Sequence, residues 1–375
     1  MSQLGGAGGA GGAGGAGGAG GAGGAGGAGG AGGAMLGTMA DAFANSIMVD
    51  ALILGREGTT VVPDPNYYAP ALPPGIDDAL QMERWEPWVR AYAAVGEMLQ
   101  GINLLAPGGG NAFQVLSAGT LIAEIQRPQK ATFEAQIPMV LSWAELRHER
   151  DTEIMAQIDP PYAFWSSIIY MHPDRTKRTF ELINVLLQFC VYVEMRFKHA
   201  LACWRPVEYN AQVQPMLTTP GHGSFPSGHA TQVHAVAHVL KNLLNLNPAG
   251  NPGHAMIIDQ LDRQAARIAT NRVVAGVHFP VDSMAGRMLG VALGEYFVAR
   301  CKGGAAFMGR TFLSVGIDGA PTTDFNPFNA AQDLNGAGPF YSQAAAAGAI
   351  ALSALMQHVW AQAQAEWKGR FGVPV

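Results

Sequence analysis

The chain has 375 residues, of which 49% are hydrophobic and 14% charged, so it holds enough apolar material for one large hydrophobic core or two fused ones. Its formal net charge of -5 at pH 7 leaves no general basic surface, which excludes nucleic-acid binding by bulk charge and makes any cluster of cations a local feature. The cysteines are odd in number and widely spaced, which argues against a disulfide framework and a zinc site, so buried thiols are expected at Cys190, Cys203 and Cys301.

The N-terminal segment repeats Gly-Gly-Ala ten times over residues 5–34. Such a segment has almost no side chain to bury and loses the most backbone entropy on folding, so residues 1–38 are predicted to be a disordered leader. A start codon at Met35 or Met39 is the alternative interpretation. The first cation of the chain is Arg56, so no signal peptide is recognisable and a cytoplasmic location is the default expectation.

Residues 39–375 are predicted to form a single α-helical domain. The domain begins with an extended arm, because the five prolines between Pro63 and Pro74 prevent a helix there. Apolar periodicity and proline-containing breaks predict helices over residues 76–105, 112–126, 137–156, 161–171, 179–204, from 227 onward, 259–274, 280–300 and 342–367. Residues 303–339 are predicted to be a loop. No stretch has a convincing strand pattern, so the predicted fold class is mainly α, a helical bundle with the active site at the ends of several helices.

Residues 179–204 are the most apolar long segment, but four polar residues interrupt it: Glu181, Asn184, Gln188 and Glu194. They favour a helix buried among other helices over a membrane span, so no membrane association is expected. Lys198 and Arg205 stand seven residues apart, which is two helical turns. Both side chains are therefore predicted to leave one face of this helix, before Pro206 breaks it, and to reach one anion.

The segment that organises the chain is Pro226-Ser227-Gly228-His229. Proline suits a helix entry, Ser227 offers a hydroxyl, and Gly228 lets an anion approach the N–H groups that a helix N-terminus leaves unpaired. His229 then projects from the first turn beside that anion. The tetrapeptide alone is weak evidence, because Pro, Ser and Gly cluster in turns. The flanking residues supply the cations, the second imidazole and the carboxylate that a tetrahedral oxyanion site needs: Lys198, Arg205, Arg272, His278 and Asp282.

Arg272 and His278 are six residues apart and would lie on different faces of an unbroken helix. We therefore expect Gly276 to interrupt the helix, so that the two side chains converge. Asp282 follows near the start of the next predicted helix, close enough to orient the imidazole ring of His278.

These residues resemble the three motifs of a known superfamily, the type-2 phosphatidic acid phosphatases and vanadium-dependent haloperoxidases. Lys198 and Arg205-Pro206 match K-x6-R-P, the central tetrapeptide matches P-S-G-H, and Arg272, His278 and Asp282 match S-R-x5-H-x3-D with Asn271 in place of the serine. The resemblance covers about residues 140–300 and implies the same helical fold.

The resemblance also implies a role for each residue. The cations Lys198, Arg205 and Arg272 would neutralise the oxygens of vanadate in a peroxidase, or of a phosphoryl group in a phosphatase. Neutral donors would come from Ser227 and the Gly228 N–H. His278 would be the ligand of vanadium or the nucleophile, Asp282 would fix its tautomer, and His229 would move the proton.

Two features favour the peroxidase. The soluble phosphatases of the superfamily are typically shorter and exported, and its lipid phosphatases span membranes. In addition, His222 stands seven residues before His229, where bromide-oxidising haloperoxidases have a histidine, so the segment resembles the bacterial bromoperoxidase type. The expected reaction is oxidation of bromide or iodide by hydrogen peroxide, with vanadate as cofactor and a small organic acceptor as partner. Met195 departs from the haloperoxidase pattern, because several haloperoxidases have tryptophan at this position, three residues before Lys198.

Two alternatives stay open: a soluble acid phosphatase that hydrolyses phosphomonoesters through a phosphohistidine, and a non-catalytic helical protein that binds an oxyanion. The oligomeric state also stays open, and a homo-oligomer is compatible with the sequence. Five histidines match no motif position and are interpreted as structural or surface residues: His199, His234, His238, His254 and His358.

Overall fold

The computed structural model describes residues 46–61, 73–108, 110–303, 306–336, 338–348 and 350–375. The chain divides into one compact unit over Gly8–Trp88 and a second that contains Val89–Val375. In the first unit, helix α1 covers Ser46–Thr59 and a 3-10 helix covers Ala79–Arg84. Helix α1 replaces part of the predicted extended arm, because the prolines of that arm begin only after the helix has ended. The predicted leader over residues 1–38 lies outside the described residues.

The second unit is mainly helical, which confirms the predicted fold class. Its helices, in chain order and including one that starts just before it, are α2 (Pro87–Leu99), α3 (Lys130–Trp143), α4 (Arg147–Ala156), α5 (Tyr162–Ile169), α6 (Lys177–Leu201), α7 (Pro206–Tyr209), α8 (Gly228–Leu243), α9 (Gly253–Val274), α10 (Pro280–Lys302), α11 (Ser314–Gly319) and α12 (Ala354–Ala365). Short 3-10 helices lie at Ala144–Leu146, Ala211–Val213 and Ala330–Gln332. The buried apolar side chains form one large continuous core and a small satellite cluster.

Helix α8 is almost entirely buried and packs along α10, as well as against α6 and α9. Glycines at four-residue spacing on α10, Gly286, Gly290 and Gly294, let the two backbones approach closely. A Cβ atom on Gly286 would lie only 2.6 Å from the carbonyl oxygen of Ser227, and one on Gly290 would overlap the backbone of Thr231. Larger residues at these positions would push α8 away, so the glycines hold the start of α8 against the start of α10.

A five-stranded sheet accompanies the helices, where the sequence pattern predicts none. Its strands lie side by side in chain order: β1 (Ile102–Leu105), β2 (Ala112–Ser117), β3 (Thr120–Gln126), β4 (Phe307–Phe312) and β5 (Tyr341–Gly348). Strands β3 and β4 are parallel, and the other neighbouring pairs are antiparallel. The parallel pair joins segments far apart in the sequence, with Ala123 opposite Arg310 and Ile125 opposite Phe312.

Residues 112–126, predicted as a helix, form the hairpin of β2 and β3 instead. Burial alternates residue by residue along Ala112–Ser117, which is the period of two of a strand. Ala118 and Gly119 turn the chain with φ angles of 46° and 85°. An alanine at positive φ is uncommon, so the sequence pattern does not predict this turn.

The end of the chain also differs from the prediction. Residues 342–367, predicted as one alanine-rich helix, contain most of β5, and only Ala354–Ala365 are helical. Because β5 pairs with β4 along its length, strand pairing overrides the helix propensity of alanine. The predicted loop over residues 303–339 accordingly contains β4 and α11, and the predicted helices over 76–105 and 137–156 are each broken into shorter elements.

Helix α6 carries polar side chains inside the second unit, as expected of a buried helix. Glu181 accepts from Arg90 at 2.6 Å, and the fully buried Glu194 accepts from Gln232 at 2.9 Å. Within the described ranges, no helix combines the length and the hydropathy needed to cross a bilayer. The three cysteines are buried free thiols, as predicted.

Candidate oxyanion site

Helix α8 begins at Gly228, with Ser227 at its N-cap, as the P-S-G-H motif predicts. The Ser227 hydroxyl oxygen accepts from the Ala230 N–H at 3.3 Å and caps the helix. The Ser227 N–H donates to the carbonyl oxygen of Asp282 at 2.9 Å. This second bond ties the start of α8 to the first turn of α10, so the P-S-G-H segment and the histidine-aspartate segment lie side by side.

Lys198 lies in the last turn of α6 and is almost fully buried. Its ammonium group donates to the backbone carbonyl oxygens of Gly223 at 3.2 Å, Ser224 at 2.9 Å and Pro226 at 2.5 Å. All three N–H groups of the lysine are thus engaged by the loop that leads into α8. Burial, and then the positive charge of Arg205, lowers the pKa of Lys198 to about 7.

The helix that carries Lys198 ends at Leu201, earlier than predicted. Ala202 closes it with a left-handed φ of 47°, and Arg205 lies beyond it as the N-cap residue of α7. An alanine in this conformation is uncommon, so the sequence pattern does not mark this helix end. Arg205 reaches the site through this bend and not through the shared helical face that its spacing from Lys198 suggests.

His278 and Asp282 form the pair that their spacing predicts. Nδ1 of His278 lies 2.8 Å from Oδ2 of Asp282, and Nε2 lies 3.1 Å from Nη1 of Arg205. A guanidinium group can only donate, so Nε2 holds a lone pair and Nδ1 donates its proton to the carboxylate. Burial, and then the charges of Arg205 and Lys198, lowers the pKa of His278 well below its ordinary value. The ring is therefore neutral at pH 7, with the unprotonated Nε2 that a metal ligand or a nucleophile requires.

Arg272 reaches the same region because the chain bends after it. Helix α9 ends at Val274, and Gly276 follows with a φ of 76°, in agreement with the predicted interruption. Nη2 of Arg272 donates to the carbonyl oxygen of Ile154 at 3.1 Å and to Oε1 of Gln157 at 3.0 Å. Its Nε and Nη1 atoms have no hydrogen-bond partner among the described residues, although the residue is only 1% exposed. Buried donors of this kind are costly unless a ligand satisfies them.

His229 lies in the first turn of α8, with Nε2 at 3.1 Å from the carbonyl oxygen of Gln157. A carbonyl can only accept, so Nε2 carries the ring proton. Burial, and then the charge of Arg272, lowers the pKa of His229 well below its ordinary value, which makes the imidazole neutral at pH 7. Gln157 therefore contacts His229 through its backbone and Arg272 through its side chain.

Gln157 belongs to a polar network that the sequence interpretation missed. Its Nε2 donates to Glu153 at 2.9 Å, and its Oε1 accepts from Asn271 at 3.0 Å as well as from Arg272. Asn271, which replaces the serine of the resembled motif, also donates to Glu153 at 2.9 Å. Gln157 directly follows α4, outside all three motifs, and no spacing rule connects it to residue 272. Only the packing of α4 against α9 reveals the contact.

His222 is half-buried beside Arg205. Its Nδ1 atom lies 3.1 Å from Nη2 of Arg205 and 3.1 Å from the carbonyl oxygen of Gly223. Burial, and then the charge of Lys198, lowers the pKa of His222 to about 4, so this imidazole is also neutral at pH 7. His222 and His278 thus contact the same guanidinium group.

The comparison with protein families agrees with this location. The PAP2 superfamily model matches residues 180–302, which run from α6 to the end of α10 and include all of the predicted site residues. That superfamily comprises enzymes, among them phosphatases and vanadium haloperoxidases. No curated protein matches the chain. The central helices, over residues 180–302, are therefore similar to the PAP2 superfamily, whose members perform phosphatase or haloperoxidase-like chemistry.

Proposed function

We propose that the protein is a vanadate-dependent haloperoxidase of the bacterial bromoperoxidase type, which oxidises bromide or iodide with hydrogen peroxide. For bromide the balanced reaction is H₂O₂ + Br⁻ + H⁺ → HOBr + H₂O, and the hypohalous product halogenates a small organic acceptor. The observation that carries this proposal is the His278 imidazole, whose Nδ1 lies 2.8 Å from Oδ2 of Asp282 and whose unprotonated Nε2 lies 3.1 Å from Nη1 of Arg205.

The residues present fit vanadate. Arg272 buries Nε and Nη1 without a partner among the described residues, and a tetrahedral oxyanion would accept from both. Within the described residues, Lys198, Arg205 and Arg272 form no salt bridge, whereas the buried Arg90, Arg300 and Arg310 do. Their charge therefore favours an anion. Ser227 and the Gly228 N–H would add neutral donors, and His278 would be the ligand.

Each residue then has a chemical task. Bound vanadate supplies a Lewis acid that activates hydrogen peroxide for two-electron oxidation of the halide. His229 is neutral and accepts a proton from hydrogen peroxide as it binds. Arg205 stabilises negative charge on the oxygens, whereas Lys198, whose three N–H groups bond to carbonyl oxygens, acts through its charge and holds the loop before α8. His222, beside Arg205, donates a hydrogen bond to the peroxide or helps place the halide.

An acid phosphatase is the second candidate, since an unprotonated Nε2 of His278 also suits attack on phosphorus. The N–P bond would form as the ester P–O bond breaks, the leaving oxygen would take a proton from His229, and water would hydrolyse the phosphohistidine. Both routes place a proton on His229, so the lowered pKa of that residue does not separate them. The peroxidase is placed first because His222 lies 3.1 Å from Arg205, where a phosphatase has no evident task for it.

A paired assay on one preparation tests the assignment. Vanadate-loaded protein should brominate phenol red with hydrogen peroxide and bromide, and the vanadate-free protein should not hydrolyse p-nitrophenyl phosphate. Excess phosphate should displace vanadate and stop the bromination, because the donors recognise a tetrahedral oxyanion by shape and charge. Phosphate ester turnover without halide oxidation would assign the site to a phosphatase, and inactivity in both assays, with vanadate still bound, would leave an oxyanion-binding protein.

A further inference from the structure

A polar cleft lies at the far end of α8 from His229. This cleft has a volume of about 640 Å³, which is within the range of small-ligand sites. Its walls come from the end of α8, the start of α9, the end of α10 and the C-terminal residues Phe371 and Gly372. None of the predicted site residues lines it.

The described lining of the cleft contains hydrogen-bond donors and no carboxylate. It has the ammonium groups of Lys241 and Lys302, the imidazole of His254 and four asparagine side chains: Asn242, Asn245, Asn247 and Asn251. Lys241 is paired at 2.8 Å with Asp262, which lies outside the lining. Lys302 forms no salt bridge with a described residue, in a chain whose net charge is -5. The local charge therefore favours an anion.

His254 supplies an independent observation. It is 5% exposed, and its Nδ1 accepts from the Asn247 N–H at 2.9 Å, so the ring proton lies on Nε2. That Nε2 has no hydrogen-bond partner among the described residues. Buried donors are nearly always satisfied in folded proteins, and an oxygen atom of a ligand in the cleft would satisfy this one.

We propose that this cleft binds a phosphorylated polyol of about the size of a sugar monophosphate. Lys302 and His254 bind the phosphate, and the amides of Asn247 and Asn251 bind hydroxyl groups, because an amide both donates and accepts. This site is separate from the oxyanion site at the start of α8 and does not depend on the function proposed for it.

Hydrogen exchange with mass spectrometry on the full chain locates the site. Glucose 6-phosphate should protect residues 245–256 and 369–373, and glucose at the same concentration should not. The His278→Ala variant should give the same protection, which separates this site from any hydrolysis at the other. Protection confined to residues 222–229, or equal protection by glucose, would overturn the proposal.

A pair of lysine variants tests the phosphate contact. Lys302→Met should weaken glucose 6-phosphate binding about tenfold, the scale of one hydrogen bond to a charged group. Lys368→Met removes the same charge from an exposed lysine outside the lining and should leave the Kd unchanged. Equal losses in both variants would show that only overall charge matters, and no loss in Lys302→Met would remove that residue from the site; either result contradicts the proposal.

Discussion

Two regions of the protein bury arginine side chains almost completely, but only one of them pairs the arginine with a carboxylate. Arg310 on β4 is 4% exposed, and its Nη2 meets the carboxylate of Glu295 on α10 at 2.6 Å. Arg272 at the end of α9 is 1% exposed, pairs with no carboxylate among the described residues and leaves Nε and Nη1 without partners there. The first charge is neutralised inside the fold, whereas the second has no carboxylate partner among the described residues.

The histidines of α8 show the same distinction. His229 and His234 are both buried, and burial is the main cause of the lowered pKa of each. His234 bonds to the carbonyl oxygen of Ala230 in its own helix at 2.8 Å, which agrees with a structural role. His229 instead contacts the Gln157 carbonyl and lies close enough to Arg272 for that charge to affect its pKa. Burial alone therefore does not indicate a site, and the two residues differ in whether the ring bonds to its own helix or to a residue of another element.

The largest effect is expected for His278→Ala, which removes the proposed ligand and should weaken vanadate binding on the order of 1,000-fold or abolish it. Asp282→Asn keeps the imidazole but perturbs its tautomer, and should cost about 10- to 100-fold. Vanadate titration of both variants measures the difference. Small and equal losses in the two variants would mean that the motif residues have been misassigned.

Arg272→Met and Arg310→Met test directly whether the two buried arginines differ in function. Arg272→Met should weaken vanadate binding on the order of 100-fold with little loss of stability, because it removes a buried cation without a carboxylate partner. Arg310→Met should leave vanadate affinity unchanged and destabilise the fold by about 3–5 kcal/mol, because Glu295 is left unpaired.

Vanadate titration and urea unfolding of both arginine variants check this crossed result. Arg310→Met with Glu295→Gln is the matched control, and it should recover part of the lost stability because no buried carboxylate remains. A large stability loss in Arg272→Met without a loss of vanadate affinity would place that residue with Arg310 as a structural cation.

His222→Ala separates the halide step from cofactor binding. The proposed oxyanion ligands are untouched, so vanadate affinity should change little, whereas the bromination rate should fall at least about 10-fold, the scale of one lost hydrogen bond to a charged group. Both quantities are measured on one preparation. An unchanged rate would make His222 a structural loop residue and weaken the peroxidase assignment.

Gln157→Leu tests the network that only the fold revealed. The change removes the Oε1 acceptor of Arg272 and Asn271 but keeps the backbone carbonyl beside His229, so vanadate affinity should fall about 10-fold. Gln212→Leu, at an exposed position, is the control and should behave as the wild type. Identical affinities in the two variants would exclude a positioning role for Gln157.

The smallest effect is a pH dependence of anion affinity. Burial lowers the pKa of Lys198 to about 7 and raises the pKa of Asp282 to about 7. As the pH rises through this range, the site loses a positive charge and gains a negative one, so affinity should fall several-fold between about pH 6 and pH 8. Sulfate is the suitable probe because its own charge does not change there. An affinity that stays constant or rises with pH would contradict these shifts.

Much of the site can be predicted from local sequence. The P-S-G-H motif predicts the start of α8, Gly276 predicts the break that follows α9, and the spacing of His278 and Asp282 predicts their contact. These features succeed because capping, positive φ and helical periodicity act over a few residues. Gln157 could not be predicted in this way, because its contact with Arg272 depends on how two distant helices pack.

The sequence by itself determined the helical class, the set of candidate site residues and the order of the three motifs along the chain, because each depends on nearby residues. Only the tertiary structure decided that residues 112–126 are strands, since the parallel pairing of β3 with β4 joins positions such as Ala123 and Arg310. It also decided that the three N–H groups of Lys198 donate to carbonyl oxygens. Arg272, in contrast, has two nitrogen atoms without partners among the described residues. Burial and hydrogen-bond satisfaction depend on every element that surrounds a group, and no local pattern of residues contains that information.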